Sequence, residues 1–254
     1  MVTARKRQIS AAFSAAAERY DEAAGVQRRV AGRLVELVSD RVLDPSPQHI
    51  LEIGCGTGLL TGAIRKRWPR SVITATDIAH EMVAQAARHG SADRLMTMDG
   101  EQPTLGDERF DLILSSLTFQ WFDNLHAALF RLRAMLRPGA ALAFATMGAG
   151  SFSHWREAHE REGYSAGLPD YPTHSALQSM LGGFEDSWTG EGIVNLTQRG
   201  GRALMHHFRD IGAFVPRDGY RPLGPAAMRS VIERFDEDGG TATYHILYGG
   251  FRNG

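Results

Sequence analysis

The sequence has little cysteine, little net charge and no long apolar run, and each shortage excludes a class of protein. One cysteine among 254 residues excludes an internal disulfide and a Cys-x-x-Cys metal site. A formal net charge of −1 gives no global field that would attract nucleic acid or an anionic membrane. The sequence contains no run of about 18 apolar residues, which is the length that a membrane-spanning helix needs. We therefore expect neither a nucleic-acid partner nor a membrane partner.

The histidines and the first residues also lack a recognisable pattern. The pair His154 and His159 does not share a helical face, and the adjacent His206 and His207 point in different directions. No zinc-like spacing results, so we expect no metal. The opening MVTARKRQISAAF has an apolar stretch too short and too interrupted for a signal peptide, which favours a cytoplasmic protein.

The most informative stretch is ILEIGCGTG, residues 50–58. An apolar strand pattern leads into Gly54, Gly56 and Gly58, and a helical pattern follows over residues 59–67. Glycine is needed where a backbone lies against a ligand, and this edge of a parallel sheet is where nucleotide-like ligands bind. Leu59 stands where a dinucleotide fingerprint has its third glycine, which disfavours NAD.

Acidic residues follow the next two strand candidates. Asp77 ends the run SVITATD, 21 residues after Gly56, where a second parallel strand would present a carboxylate to a ribose diol. Asp99, in MTMDGE, closes a third such segment. Together with Glu52, two residues before the first glycine, these acids predict a nucleotide-type site.

The segments LEIGCGTG, TATD and MDGEQP resemble the successive motifs of class I S-adenosylmethionine-dependent methyltransferases, over about residues 48–147. The resemblance implies an α/β fold, with a doubly wound, mostly parallel sheet of seven strands, and S-adenosylmethionine as cofactor. In that family the glycine turn packs against the methionine and sugar part, the strand-2 acid binds the ribose hydroxyls, and the strand-3 acid contacts the adenine amino group. The cofactor-binding residues that it implies here are Glu52, Gly54, Cys55, Gly56, Thr57, Gly58, Asp77, Ile78, Met82, Asp99, Gly100, Glu101, Ser115 and Gln120.

A second resemblance runs nearly from end to end. AAFSAAAERYDEAAGVQ looks like the opening of the malonyl-acyl-carrier-protein O-methyltransferases of biotin synthesis, and RALMHHFRDIGA and TATYHILYGG resemble their C-terminal half. It implies that N-terminal helices cover the cofactor, that an arginine grips the malonyl carboxylate, and that the partner is a malonyl-carrying acyl-carrier protein or malonyl-CoA. The implied substrate-binding residues are Phe13, Tyr20, Gln120, Trp121 and Arg156, with Tyr20 and Arg156 as positioning residues.

One domain, residues 1–254, is expected. We divide it into an N-terminal helical lid (1–48), a cofactor-binding core (49–147), a substrate-capping insertion after strand 5 (148–190), and a part that completes the sheet with an antiparallel last strand (191–254). Two amphipathic helices are predicted over 3–24 and 26–38, and a helix over 126–136 is followed by a chain reversal at 137–139.

The chemistry implied by the resemblance needs no general base, because a carboxylate is already ionised at pH 7. Alignment of oxygen, methyl and sulfur and removal of water would supply catalysis. The Gln-Trp pair at 120–121 also occurs in trans-aconitate methyltransferases, so another small carboxylate remains an alternative substrate. A catalytically silent fold member that acts as an assembly factor is a third reading.

Overall fold

The computed structural model describes residues 3–41 and 46–254, and within them the chain forms a seven-stranded sheet of order β3-β2-β1-β4-β5-β7-β6. Residues 1, 2 and 42–45 of the predicted lid lie outside the described residues. The strands are β1 (His49–Ile53), β2 (Val72–Asp77), β3 (Arg94–Thr97), β4 (Phe110–Ser116), β5 (Leu136–Met147), β6 (Trp188–Arg199) and β7 (Thr241–Arg252).

Strands β1 to β5 pair in parallel, and β7 is antiparallel to both of its neighbours, β5 and β6. The order reverses between β1 and β4, which are paired in the sheet although β2 and β3 separate them in the chain. Such a switch point leaves a crevice at the carboxyl ends of the strands. The predicted doubly wound sheet with an antiparallel last strand is confirmed.

The helices that cover the sheet are α1 (Ala4–Ala16), α2 (Tyr20–Ala23), α3 (Gly25–Ser39), α4 (Leu59–Arg67), α5 (His80–His89), α6 (Leu125–Arg133), α7 (Ser153–Arg161), α8 (His174–Leu181), α9 (Gly201–Asp210) and α10 (Pro225–Glu237). A short 3₁₀ helix, Phe119–Trp121, follows β4. One buried cluster joins the sheet to α3, α4 and α10, and a second joins its other face to α6 and α8.

Side chains of the central strands alternate between these two clusters. Ile50 and Leu112 belong to the α3 and α4 side, whereas Leu51 and Ile113 belong to the α6 and α8 side, and all four are fully buried. A strand buried on both faces reads as a continuous apolar run, which is why the sequence reveals β1 and β4 clearly.

The first predicted helix, over 3–24, is broken in the structure. α1 ends at Ala16 and α2 begins at Tyr20, with a turn between them. The apolar spacing continues through this turn, so periodicity alone does not show the break. The interruption lets α1 lie against α5 while Tyr20 is directed toward the sheet edge.

The predicted helix over 126–136 and the reversal at 137–139 need correction. Helix α6 ends at Arg133, and residues from Leu136 onward already belong to β5. The pairing shifts between Phe110 and Leu112, whose partners are Leu136 and Ala141. Gly139, with φ of 76°, lies inside this irregularity. The Pro-Gly pair therefore marks an irregular strand start and not a chain reversal.

The predicted insertion contains α7 and α8 joined by an irregular segment, and β6 begins before its expected end at residue 190. In the described part of the chain, every helix is too short or too polar to cross a bilayer.

Candidate active site

The turn between β1 and α4 depends on three glycines with positive φ. Gly54, Gly56 and Gly58 have φ values of 72°, 54° and 99°. A Cβ at Gly54 would lie 2.1 Å from Thr118 Oγ1, so a larger residue would collide with the loop after β4. A Cβ at Gly56 would meet nothing within 4 Å, because this residue faces open space. The backbone at Gly56 is thus available to a ligand.

That open space is a cleft of about 870 Å³ between the glycine turn, the N-terminal helices and the ends of β2, β3 and β4; we call it the main cleft. Its lining brings together the predicted residues Phe13, Tyr20, Gly54, Cys55, Gly56, Thr57, Asp77, Ile78, Met82, Asp99, Gly100 and Trp121. The lining residues that were not predicted are Lys6, Ile9, Gln27, Ala31, Ile53, Leu59, Leu60, Met98, Ser116, Leu117, Thr118 and Phe122.

Asp77 lies at the end of β2 and braces the glycine turn. Its Oδ2 accepts a hydrogen bond from Gly56 N at 2.9 Å, and its Oδ1 accepts one from Ala79 N at 2.8 Å. Burial raises the pKa of Asp77, and these backbone donors oppose that effect. A carboxylate held from behind in this way has a fixed orientation toward the cleft.

Asp99, just after β3, also lines the main cleft, and it is paired with Lys6 of α1. Lys6 Nζ lies 2.6 Å from Asp99 Oδ2 and 2.8 Å from Glu101 Oε2. Burial lowers the pKa of Lys6, but its hydrogen bonds and the charges of both carboxylates outweigh that effect and raise it overall. Lys6 is 5% exposed, so this ion pair is largely withdrawn from water.

Two ionisable groups lie beneath the glycine turn. Glu52 is fully buried; its Oε2 accepts from Thr61 Oγ1 at 2.6 Å, and its Oε1 has no partner among the described residues. Burial raises the pKa of Glu52 to about 8, aided by the charge of Asp77. Cys55 is buried in a cluster with Ala75 and Ala86, and this burial raises the pKa of its thiol.

Several residues of the predicted cofactor set are not in the lining, for identifiable reasons. Gly58 begins α4, and a Cβ there would face Ala86 of α5. Ser115 points inward and donates to Ile53 O at 2.8 Å, so Ser116 takes its expected place. Glu101 accepts hydrogen bonds from the backbone of residues 123 and 124 and pairs with Lys6. Glu52 supports the turn from below.

A second cavity of about 490 Å³, which we call the side cavity, adjoins the main cleft. It is lined by Phe13, Tyr20, Gln27, Leu117, Gln120, Trp121, Met147, Phe152, Leu168, Tyr171, Phe208, Ile211, Ala213 and Tyr244. The first four of these and Trp121 line both spaces, so they form the junction between them. Among the described residues the side cavity has no charged side chain in its lining.

Gln120 and Arg156 border the side cavity in different ways. Gln120 lines this cavity and not the main cleft, and its amide is engaged by donating to Leu117 O at 2.6 Å. Arg156 is outside the lining; its guanidinium donates to Pro169 O at 2.9 Å and lies 5.7 Å from the ring centre of Tyr171. Tyr171 therefore separates Arg156 from the cavity.

The N-terminal helices close over both spaces through specific contacts. Phe13 and Trp121 make an edge-to-face contact with ring centres 5.6 Å apart. Asp21 accepts a hydrogen bond from Thr57 Oγ1 in the glycine turn. Burial, with the charges of Asp77 and Asp21, raises the pKa of Tyr20 far above its ordinary range, so its hydroxyl stays protonated.

Sequence reasoning missed Lys6, Asp21 and Gln27, which all lie on the lid. Lys6 gave a signal, since it stands three residues before Ile9 on the apolar face of α1. A cation on such a face needs a carboxylate partner. Asp21 gave no local signal, because its partner Thr57 lies far away in the chain. Gln27 gave none because only the folded lid brings it to the cleft.

The fold has relatives among solved structures. The plantazolicin methyltransferase BpumL, in complex with a pentazolic desmethylPZN analog and SAH, superposes with a TM-score of 0.59 at 16% identity. The match covers 98% of this chain and 97% of that one. At this identity the comparison supports the methyltransferase-type fold alone.

Sequence comparison is more specific. A family model described as a methyltransferase domain matches residues 51–144. The chain is 42% identical to the biotin biosynthesis bifunctional protein BioCD of Bordetella avium over 97% of this chain and 52% of the relative, so it spans about half of that protein's length. It is 36% identical to malonyl-[acyl-carrier protein] O-methyltransferase of Magnetococcus marinus, over 91% of this chain and 87% of the relative. The chain therefore belongs to the malonyl-[acyl-carrier protein] O-methyltransferase family and is an S-adenosylmethionine-dependent methyltransferase.

Proposed function

We propose that the protein methylates the free carboxylate of a malonyl group carried as a thioester on acyl-carrier protein, an early step of biotin synthesis in the cytoplasm. The observation that carries this proposal is the junction of the main cleft with an uncharged side cavity through five shared residues. Methyl transfer requires donor and acceptor to meet end to end, and the junction provides such a place.

The main cleft fits S-adenosylmethionine. Gly56 leaves open space where a Cβ would project, and Gly100 has no room for one, since it would lie 2.2 Å from Ile53 Cγ2. We assign the ribose hydroxyls to Asp77, the adenine amino group to Asp99, and the methionine part to the glycine turn.

The side cavity suits a small carboxylate. Its lining offers the hydroxyl groups of Tyr20 and Tyr171 within mostly apolar walls, whereas the Gln120 amide is engaged with Leu117 O. An anion that enters such a space loses water and gains only a few neutral donors, which keeps the oxygen reactive. Phe13 and Trp121 close the junction and exclude solvent from the methyl path.

The reaction needs no proton transfer from the protein. When bound, S-adenosylmethionine supplies a methyl group on a positively charged sulfur and leaves as S-adenosylhomocysteine. The acceptor oxygen is ionised at pH 7, so the chain's own residues only bind, align and dehydrate it. In this scheme the Tyr20 hydroxyl and ring border the methyl path, and Arg156 orients the acyl carboxylate from behind Tyr171.

Methyl transfer from labelled cofactor to malonyl-acyl-carrier protein, malonyl-CoA and trans-aconitate, side by side, tests the proposal. We expect label in the malonyl thioesters, with the carrier protein preferred over malonyl-CoA, and little in trans-aconitate. An Asp77→Ala variant controls for transfer that does not depend on the main cleft.

Preferential labelling of trans-aconitate would replace the malonyl proposal with the other small-carboxylate activity. Cofactor binding without label in any acceptor would favour the silent, assembly-factor reading.

A further inference from the structure

Among the described residues, Gln27 and Ser116 line the main cleft with a buried polar atom that has no hydrogen-bond partner, and the place of Gln27 is the more informative. Gln27 lies in the first turn of α3 and is 9% exposed. Its Oε1 is buried and has no hydrogen-bond partner among the described residues. Because a buried carbonyl oxygen is strongly disfavoured without a donor, a donor from a ligand is the natural partner.

Gln27 lies at the junction, since it lines both the main cleft and the side cavity. In the main cleft, Asp99 and Gly100 mark the adenine end and Asp77 the ribose position. The other residues that the main cleft shares with the side cavity are Phe13, Tyr20, Leu117 and Trp121, and none of them belongs to the adenine or ribose position. The methionine part of the cofactor belongs there, because the methyl group has to face the acceptor.

The ligand groups that meet at the junction differ in what they can donate. A carboxylate and a thioester carbonyl offer only acceptor oxygens, whereas the α-ammonium group of the methionine part offers three N–H donors. We propose that Gln27 is a cofactor-binding residue whose Oε1 accepts a hydrogen bond from the α-ammonium group of S-adenosylmethionine. This inference rests on the cofactor and is independent of which carboxylate is methylated.

Two ligands that differ in the amino-acid part provide the test. S-adenosylhomocysteine carries the α-ammonium group, and 5′-methylthioadenosine lacks the whole amino-acid part while keeping adenine, ribose and sulfur. By calorimetry, Gln27→Leu should weaken S-adenosylhomocysteine about ten- to a hundredfold, as expected for a lost hydrogen bond to a charged group. Its affinity for 5′-methylthioadenosine should stay within about twofold.

Two further variants complete the experiment. Gln27→Glu keeps an acceptor at this position and should retain or increase affinity for S-adenosylhomocysteine. Gln8→Leu makes the same change at an exposed position of α1 and should change neither affinity. Gln27→Met replaces Gln27→Leu if the latter does not fold, as judged by circular dichroism.

Equal weakening of both ligands would overturn the proposal and make Gln27 part of the cleft wall. Unchanged binding of S-adenosylhomocysteine would also overturn it, and a raised KM for the acyl substrate in that case would place the amide against the acceptor. Failure of the proposed function would give a different result: the wild-type protein would bind S-adenosylhomocysteine but would transfer no label to a malonyl thioester.

Discussion

Lys6 Nζ on α1 lies 2.6 Å from Asp99 Oδ2, just after β3, and this contact fastens the lid to the Asp99 end of the main cleft. The same ammonium group lies 2.8 Å from Glu101 Oε2 and 5.9 Å from the ring centre of Phe122. We expect a lid held at this point to remain anchored at Asp99 while its other end, near Tyr20, responds to ligands in the main cleft and the side cavity.

Lys6→Met should destabilise the protein and loosen the lid. The substitution leaves two carboxylates without their cation, and breaking a buried pair in this way costs about 3 kcal/mol. Urea unfolding measures the loss, and hydrogen exchange should become faster in α1. Arg33→Met, which breaks the exposed Arg33–Glu36 pair, serves as control and should change stability by less than about 0.5 kcal/mol. Equal effects of the two substitutions would contradict the anchoring role.

Asp77→Ala should reduce affinity for S-adenosylmethionine about ten- to a hundredfold, the scale of a lost charge-assisted hydrogen bond. The carboxylate also accepts from Gly56 N, so its removal loosens the glycine turn. Asp77→Asn retains an acceptor oxygen for Gly56 and should therefore lose less affinity. Titration calorimetry gives both values, and an unchanged dissociation constant in a folded Asp77→Ala protein would remove the ribose assignment.

Most structural features that depend on a local sequence pattern were predicted from the sequence. Residues 59–67 were predicted as a helix and form α4, and the acids after β2 and β3 do line the cleft. Strand alternation, glycine spacing and amphipathic helices are short-range properties, so one stretch of sequence contains the whole signal. The glycine turn and the acids that line the main cleft come from such stretches.

What sequence reasoning missed depends on contacts between distant segments. Lys6 meets Asp99 across 93 positions and Asp21 meets Thr57 across 36. The direction of a side chain at a strand end also escapes prediction, as the exchange of Ser115 for Ser116 illustrates, because a shift of one residue reverses the face. The placement of Arg156 behind Tyr171 depends on the fold of the loop that contains Pro169.

Stability should fall as pH rises between about 4.5 and 8 because of Glu52. Its pKa is about 8 in the folded protein against a reference value of 4.5, so in this range the folded chain keeps a proton that the unfolded chain has released. The unfolding free energy then decreases with pH by at most about 1.4 kcal/mol per pH unit for one such group.

Urea unfolding across that pH range measures the slope for wild type and Glu52→Gln. The variant cannot ionise and should show a shallower decline, although Asp77, whose pKa burial also raises, contributes a remainder. The substitution is nearly isosteric, and Thr61 Oγ1 can donate to the glutamine amide oxygen as it donates to the Glu52 carboxyl group. Identical slopes in the two proteins would mean that Glu52 is ionised throughout the range.

Arg156→Ala should lower kcat/KM for a malonyl thioester about tenfold or more while affinity for S-adenosylmethionine stays unchanged. The guanidinium supports the wall of the side cavity by donating to Pro169 O and by facing the ring of Tyr171, and its charge favours an anion beyond that ring. Arg156→Lys should recover only part of the activity, because an ammonium group lacks the forked geometry.

The matched control is Arg161→Ala on the same helix, whose side chain pairs with Asp238 at the surface and should matter little. Tyr171→Phe, alone and combined with Arg156→Ala, distinguishes an effect of Arg156 through the Tyr171 hydroxyl from direct contact of Arg156 with the substrate. If Arg156 acts through the Tyr171 hydroxyl, the double variant should be no worse than the poorer single variant. Additive losses would instead indicate that Arg156 reaches the carboxylate itself, and a large loss in Arg161→Ala with none in Arg156→Ala would move the role to Arg161.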